Sequence, residues 1–250
     1  MGRGPRAGDG VAGRVLIPRR FNGPPASANG GYTSGLIARY VGGPADVSLR
    51  SPPPLDTALE LERSEDGELR LWHREVLVAE GHAADPPDVE PPVRPTVAQA
   101  REAQRRHPWL EQGGRHPFNA CYVCGASRHD GLGMHFGDLR GHPDLTAALL
   151  IADETVPHDA RGLAPEIAWA ALDCPSYVPA LWYADTPSLL ARMQAEVLEP
   201  LPLGVPIVAI GWLQQAEGNK HTTASALLDA DGRLLARASH LWIRPRGAAG

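Results

Sequence analysis

One carboxylate in this sequence stands in an unusually apolar setting. Asp173 lies in the stretch from Ala164 to Trp182, where residues 167–172 (Ile-Ala-Trp-Ala-Ala-Leu) surround a predicted helix with apolar or small side chains. A helix that is apolar on every side is a buried one. A buried carboxylate must find hydrogen-bond donors or have its pKa raised, and such groups are typical of catalytic sites. Asp173 is therefore the leading catalytic candidate, and a carboxylate that caps the following turn is the alternative.

The ends of this buried helix are also marked in the sequence. Pro165 suits the first helical position, and Glu166 suits the positive end of the helix dipole. Pro175 disfavours helical backbone at Cys174, so the helix is predicted to end there. Glu166 is a second candidate acid, but its first-turn position favours a structural interpretation.

A second group of candidates opens another predicted helix, which ends at Gly42-Gly43. Asn29 precedes Gly30 and Gly31, and the N–H groups of a first helical turn are free to bind an oxygen atom. Glycine lets a ligand approach the backbone closely. A plain N-cap and turn is the alternative. Thr33 and Ser34, one turn further on, are candidates to hydrogen-bond water or substrate.

The cysteines permit a metal site but do not predict one. Cys121-x-x-Cys124 has His116, His129 and His135 nearby, yet a strong zinc signature needs a second well-spaced pair. We expect these cysteines to pack in a loop, with no metal and no cofactor. Three cysteines are too few for a disulfide framework.

Composition limits the partners. The chain has 250 residues and a formal net charge of −5, which gives no electrostatic case for nucleic acid or an anionic membrane. It has no apolar run long enough to span a bilayer, and the basic N-terminus lacks the apolar core of a secretory signal. We therefore expect a cytoplasmic protein.

The predicted elements occur twice in the same order. Each half has a strand, a helix and then an antiparallel run of four strands. The predicted strands are residues 14–21, 46–50, 57–63, 68–72 and 74–81, and then 144–151, 189–198, 205–212, 221–228 and 233–242. A Pro-rich acidic connector (85–95) and a short surface helix (within 96–109) separate the halves. We predict a tandem duplication with an N-terminal unit (1–84), a linker (85–135) and a C-terminal unit (136–250).

A sheet wrapped around one buried helix, made twice in one chain, resembles the α+β hotdog fold in its double form, with two antiparallel sheets each around a central helix. The loop Cys121-x-x-Cys124-Gly125 leading into 130–132, together with the helix at 166–175, resembles actinobacterial thioesterase-family proteins. The resemblance implies hydrolysis of an acyl-CoA or acyl-carrier thioester. It also implies either a monomeric double hotdog or a homodimer.

Hotdog thioesterases of the phenylacetyl-CoA group carry a His-Gly-Gly turn, with an acid nine positions after the His. Here Asn29 replaces the His, Ala38 stands at the acid position of the first helix, and Asp173 stands nine positions after Ala164. Because such sites are assembled across two hotdog units, the resemblance implies one composite site, Asn29-Gly30-Gly31 with Asp173. The pseudo-equivalent site, Ala38 opposite residues 164–166, is expected to be inactive.

The resemblance also implies roles for these residues. Asp173 acts as general base or nucleophile, the Gly30 or Gly31 amide holds the thioester carbonyl, and Asn29 orients water or the carbonyl. From their positions in the sequence, the residues proposed to contact substrate are Thr33, Ser34, Trp169, Tyr177 and Trp182. Ordinary helix positions for Thr33 and Ser34, and an aromatic core for the other three, are the alternatives. A non-catalytic acyl-CoA or acyl-carrier-protein binder is the main alternative. A hotdog hydratase is disfavoured, because its Asp and His pair has no counterpart here.

Overall fold

The computed structural model describes residues 10–111 and 116–245, and it divides them into short helices and thirteen strands. The helices are Gly30–Val41 (α1), Val97–Gln104 (α2), Pro108–Glu111 (α3), Pro165–Asp173 (α4) and Pro179–Trp182 (α5). The strands are Gly10–Leu16 (β1), Ala45–Leu49 (β2), Ala58–Arg63 (β3), Leu69–His73 (β4), Val76–Ala83 (β5), Gly137–Leu139 (β6), His142–Leu150 (β7), His158–Asp159 (β8), Gly162–Leu163 (β9), Leu189–Val197 (β10), Ile207–Glu217 (β11), Lys220–Leu228 (β12) and Leu234–Ile243 (β13).

Eleven of these strands form one continuous antiparallel sheet, in the order β1-β3-β4-β5-β2-β10-β13-β12-β11-β7-β6. This corrects the expectation of two separate sheets, because β2 and β10 pair directly and join the halves. Arg192 on β10 donates from Nε to Asp46 on β2, with 2.7 Å between Nε and Oδ1. Asp46 is buried, and this charged pair stabilises the junction in addition to the backbone hydrogen bonds between β2 and β10.

The strand order repeats on the two sides of this junction. Moving outward from β2, the N-terminal strands follow as β5, β4, β3 and β1, which are the fifth, fourth, third and first strands of that half. Moving outward from β10, they follow as β13, β12, β11 and β7. Counted from β7, the strands of this half are β7, β10, β11, β12 and β13, so the order is again fifth, fourth, third and first. β6 lies beyond β7 at the edge of the sheet. Each half also places its buried helix after its first long strand.

The two buried helices lie against each other with glycines at the contact. A Cβ atom added to Gly31 would lie 2.5 Å from Asp173 Cβ, and one added to Gly35 would lie 2.5 Å from Glu166 Cα. Because α1 advances from 31 to 35 as its contacts on α4 recede from 173 to 166, the helices run antiparallel. The absence of side chains at Gly31 and Gly35 lets the backbones approach closely.

The predicted helix signals hold in the structure. Asn29 caps α1 by accepting a hydrogen bond from the Tyr32 N–H (2.8 Å), and Gly42 ends the helix with a φ of 83°. Residues 166–173 of α4 are all buried, and the helix ends at Asp173 before a short 3₁₀ turn at 174–176. Within the described residues no helix is long and apolar enough to cross a bilayer.

His240 makes folding stability sensitive to mild acid. This residue on β13 is 1 % exposed, and neither ring nitrogen has a hydrogen-bond partner among the described residues. Burial lowers its pKa from 6.5 to about 3. Below pH 6.5 His240 is therefore protonated in the unfolded chain but stays neutral in the folded chain. Stability then falls with pH, by about 2 kcal/mol from this group at pH 5.

His240→Leu is expected to remove that acid-dependent loss. Urea unfolding of wild type and variant from pH 8 to 5 measures it, as the change in the difference between their free energies of unfolding. The wild type and the variant must be compared with each other, because Asp173 has the opposite effect. Burial raises its pKa to about 7, so its protonation stabilises the folded chain as the pH falls below 7. Parallel pH profiles for the two proteins would contradict the prediction.

Candidate active site

Asp173 is held at the C-terminal end of α4 by two donors from the N-terminal half of the chain. Its Oδ2 accepts a hydrogen bond from the Gly31 N–H (2.9 Å) and another from Asn29 Nδ2 (3.0 Å). Gly31 lies in the first turn of α1, where N–H groups have no partner within the helix. The antiparallel contact of the two helices therefore brings together the three residues that the sequence places 142 and 144 positions apart.

Asn29 has two roles in this arrangement. Its Oδ1 caps α1 through the Tyr32 N–H, while its Nδ2 donates to the Asp173 carboxylate. Capping fixes the side chain, because the oxygen must point toward the helix and the amide nitrogen must then point away from it. An ordinary N-cap signal and a contact to the acid thus coexist in one side chain.

The second oxygen of Asp173 is free. Its Oδ1 is buried and has no hydrogen-bond partner among the described residues. Burial raises the pKa of Asp173 from 3.8 to about 7, the Gly31 N–H and the Asn29 amide lower it, and negative charge on Cys121 raises it. A carboxyl group in this setting can accept or release a proton near neutral pH.

Asp173 borders a cavity of about 530 Å³, within the range of small-molecule sites. Both halves of the chain supply its wall. The N-terminal half contributes residues 23–24, 26–30 and 49–53, and the linker contributes Phe118, Cys121 and Cys124. The C-terminal half contributes Phe136, Asp173, Cys174, Tyr177, residues 189–191, residues 242–243 and Pro245. The wall is mainly apolar, and Asp173, Asn29 and Gly30 lie on it together. An apolar group of moderate size therefore fits beside the carboxylate.

The residues that the sequence proposed as substrate contacts divide into two groups. Tyr177 lines the cavity, and burial raises its pKa to about 12. The other four do not appear on the cavity wall and are buried in the surrounding core: Thr33, Ser34, Trp169 and Trp182. The indole of Trp182 donates to the Tyr177 carbonyl (2.6 Å), so it supports a wall residue instead of forming the wall.

Glu166, the second candidate acid, lies away from the cavity. Its side chain is 8 % exposed and forms an ion pair with Arg39 of α1, with 3.3 Å between Oε1 and Nη1. The helix start at Ala164 has no side-chain cap. The structural interpretation of Glu166 is supported by this pairing.

All three cysteines converge on the cavity wall, which the sequence did not predict. Cys121 and Cys124 come from the linker loop and Cys174 follows Asp173, and all three are buried, with their sulfurs within 4.8 Å of one another. Hydrogen bonds from the Cys124 and Cys174 thiols hold the pKa of Cys121 well below its usual value. The position of Cys174 directly after the acid was the available signal.

No protein-family model and no curated protein sequence matches the chain. A hotdog-fold protein from Alicyclobacillus acidocaldarius superposes with a TM-score of 0.61 over 96 % of both chains, at 13 % identity. The chain has the hotdog fold.

Two other solved structures are similar to almost the whole chain. A proposed thioesterase II from Thermobifida fusca YX has a TM-score of 0.59 at 14 % identity and covers 95 % of both chains. The dehydratase domain of PpsC from Mycobacterium tuberculosis, solved with C12:1-CoA, has a TM-score of 0.58 at 13 % identity over 93 % of this chain and 92 % of that one. At such identities the likeness establishes the fold, and chemistry must be argued from the site.

Proposed function

We propose that this protein hydrolyses the thioester of an acyl-CoA or acyl-carrier substrate at a single site between its two buried helices. One observation carries the proposal. Asp173 of α4, with a free Oδ1, and the first turn of α1 meet at one apolar cavity. The thioesterase and CoA-bound neighbours support this class of chemistry.

Asp173 supplies the proton transfer in the proposed mechanism. Oδ2 is anchored by Gly31 and Asn29, whereas Oδ1 has no hydrogen-bond partner among the described residues, so Oδ1 is the oxygen that takes a proton from a water molecule. The water oxygen bonds to the thioester carbon, the carbon–sulfur bond breaks, and the departing thiolate accepts the proton. Direct attack by Oδ1, with an anhydride that water then opens, is the alternative route.

Gly30 is the proposed oxyanion donor. The Gly31 N–H is already engaged by Asp173, whereas Gly30 begins α1 and lines the cavity. Its N–H has no partner within the helix and lies at the positive end of the helix dipole. A carbonyl oxygen there gains a donor as negative charge develops. This assigns the two amides different tasks, Gly31 to the acid and Gly30 to the substrate.

We further infer that the chain is a tandem double hotdog with one active site. The repeated strand order supports duplication, and the residues at the second pseudo-equivalent position support loss of function there. Ala38 replaces the acid at that position, and the adjacent Glu166 is engaged by Arg39. The proposed chemistry therefore depends on the single contact between Asn29-Gly30-Gly31 and Asp173.

The test is thiol release from acyl-CoAs with short, medium, long and aromatic acyl groups, run beside direct binding measurements. We expect turnover on at least one class, with medium-sized or aromatic groups favoured by the cavity of about 530 Å³. A matched oxygen-ester series measures background esterase activity.

The binding-protein alternative has an observation of its own. Two donors suited to an oxyanion, the Gly31 N–H and Asn29 Nδ2, are bound to the acid instead. Tight acyl-CoA binding without thiol release from any member of the panel would overturn the hydrolase proposal and favour a non-catalytic acyl binder. If the protein neither binds nor hydrolyses any member of the panel, both the hydrolase proposal and the binding-protein alternative are overturned.

A further inference from the structure

The three cysteine sulfurs have the spacing of a metal site. The sulfurs of Cys121, Cys124 and Cys174 all lie within 4.8 Å of one another, and 3.7 Å separates those of Cys121 and Cys174. Tetrahedral zinc with zinc–sulfur bonds of about 2.3 Å holds its sulfurs about 3.8 Å apart. The sulfurs therefore require little movement to share one ion.

The loop that carries two of these cysteines is shaped to hold a thiolate. The Val123 N–H donates to Cys121 Sγ (3.4 Å), and the Gly125 N–H donates to the Cys121 carbonyl (2.9 Å). A Cβ atom at Gly125 would lie 2.5 Å from that carbonyl oxygen, so the tight turn excludes a side chain there. Backbone donors directed at sulfur favour its charged form, which is the form that binds metal.

A further donor completes the surroundings of the sulfurs. Asn29 Nδ2 lies 3.8 Å from Cys121 Sγ and 3.9 Å from Cys174 Sγ. Negative charge on the cluster is thus offset by a polar N–H group in an otherwise buried place. The third sulfur comes from the end of α4, so an ion here would tie the linker loop to the helix that carries Asp173.

We propose that Cys121, Cys124 and Cys174 bind one Zn²⁺ as three thiolates, with the fourth coordination position open to the cavity. Three soft thiolate ligands select zinc over the hard cations. All three cysteines line the cavity, and a zinc site with three protein ligands keeps its fourth position for water or another small ligand. Binding releases the protons of whichever cysteines are still thiols. The proposal does not depend on thioester hydrolysis, because it concerns the resting protein.

Metal analysis of the full chain tests this proposal. Protein purified under reducing conditions with Zn²⁺ supplied, then desalted, should hold about one zinc per chain. Substitution by Co²⁺ should produce intense sulfur-to-cobalt charge-transfer absorption together with tetrahedral ligand-field bands. Addition of a small thiol or cyanide should shift those bands if the fourth position is open.

Variants and thiol counts make the test decisive. Cys174→Ser should weaken zinc binding at least 100-fold in competition with a chromogenic chelator, whereas His129→Gln, an exposed residue of the same loop, should leave it unchanged. If Cys174→Ser does not fold, the wild-type stoichiometry and cobalt spectrum still decide. Zinc below about a tenth of an equivalent, or a disulfide found by thiol titration of the freshly reduced and desalted protein, would overturn the proposal.

Discussion

Asp173→Asn is expected to lower thioester hydrolysis by about 1,000-fold while leaving acyl-CoA binding nearly unchanged. The asparagine can keep the anchoring contacts, because its oxygen can accept from the Gly31 N–H and Asn29 Nδ2 as Oδ2 does now. Its NH₂ group then occupies the place of Oδ1, where it can neither take a proton nor attack carbon. The loss should therefore appear in kcat and spare the dissociation constant.

Glu166→Gln is the matched control for this substitution. Glu166 is the other buried carboxylate of α4, but it pairs with Arg39 and is absent from the cavity wall. Its amide should keep full turnover with a modest loss of stability. Thermal unfolding and thiol release of both variants separate the two effects. Equal activity of Asp173→Asn and wild type would remove Asp173 from the mechanism, whatever the fold.

Gly35→Ala should lower the free energy of unfolding by about 2–4 kcal/mol. Alanine is the better helix former by about 1 kcal/mol, so propensity alone predicts a gain. The added Cβ, however, would lie 2.5 Å from Glu166 Cα and 2.9 Å from Trp169 Cβ. Backbone and Cβ atoms cannot rotate away, so the helices must move apart and the surrounding core must loosen.

Gly43→Ala provides the control for the Gly35 substitution. Gly43 follows the same helix, its φ is not in the left-handed region, and a Cβ there would meet nothing within 4 Å. Its free energy of unfolding should change by no more than about 0.5 kcal/mol. Urea denaturation of the two variants gives the comparison. A Gly35→Ala protein as stable as wild type would mean that the helix contact yields easily.

The sequence predicted the regular elements well because their signals are local. The cap at Asn29, the stop at Gly42 and the break at Pro175 each act within one turn of the chain, and the structure agrees with all three. The short strands β6, β8 and β9 were missed, since two or three residues carry no periodicity. The single sheet was also missed, because the β2–β10 pairing has no local marker.

The sequence singled out candidate residues for the site, but it could not show which of them meet at one cavity. Asp173 was singled out by its apolar neighbours, but a helix that is apolar on every side does not reveal which face meets a cavity. Trp169 and Trp182 were candidates for substrate contact, with the aromatic core as the alternative, and in the structure both are buried and neither lines the cavity. Cys174 lies far along the chain from Cys121 and Cys124, so only the folded structure places the three sulfurs together.

The β2–β10 junction also has a consequence during synthesis on the ribosome. β2 pairs with β5 on one side, and its other edge is completed only by β10, which begins at Leu189. While the intervening residues are being translated, that edge presents unpaired N–H and C=O groups next to the apolar side chains of the first half. An unpaired edge is a template for pairing with another nascent chain. The residues between β2 and β10, which include the linker, therefore prolong an aggregation-prone stage of synthesis.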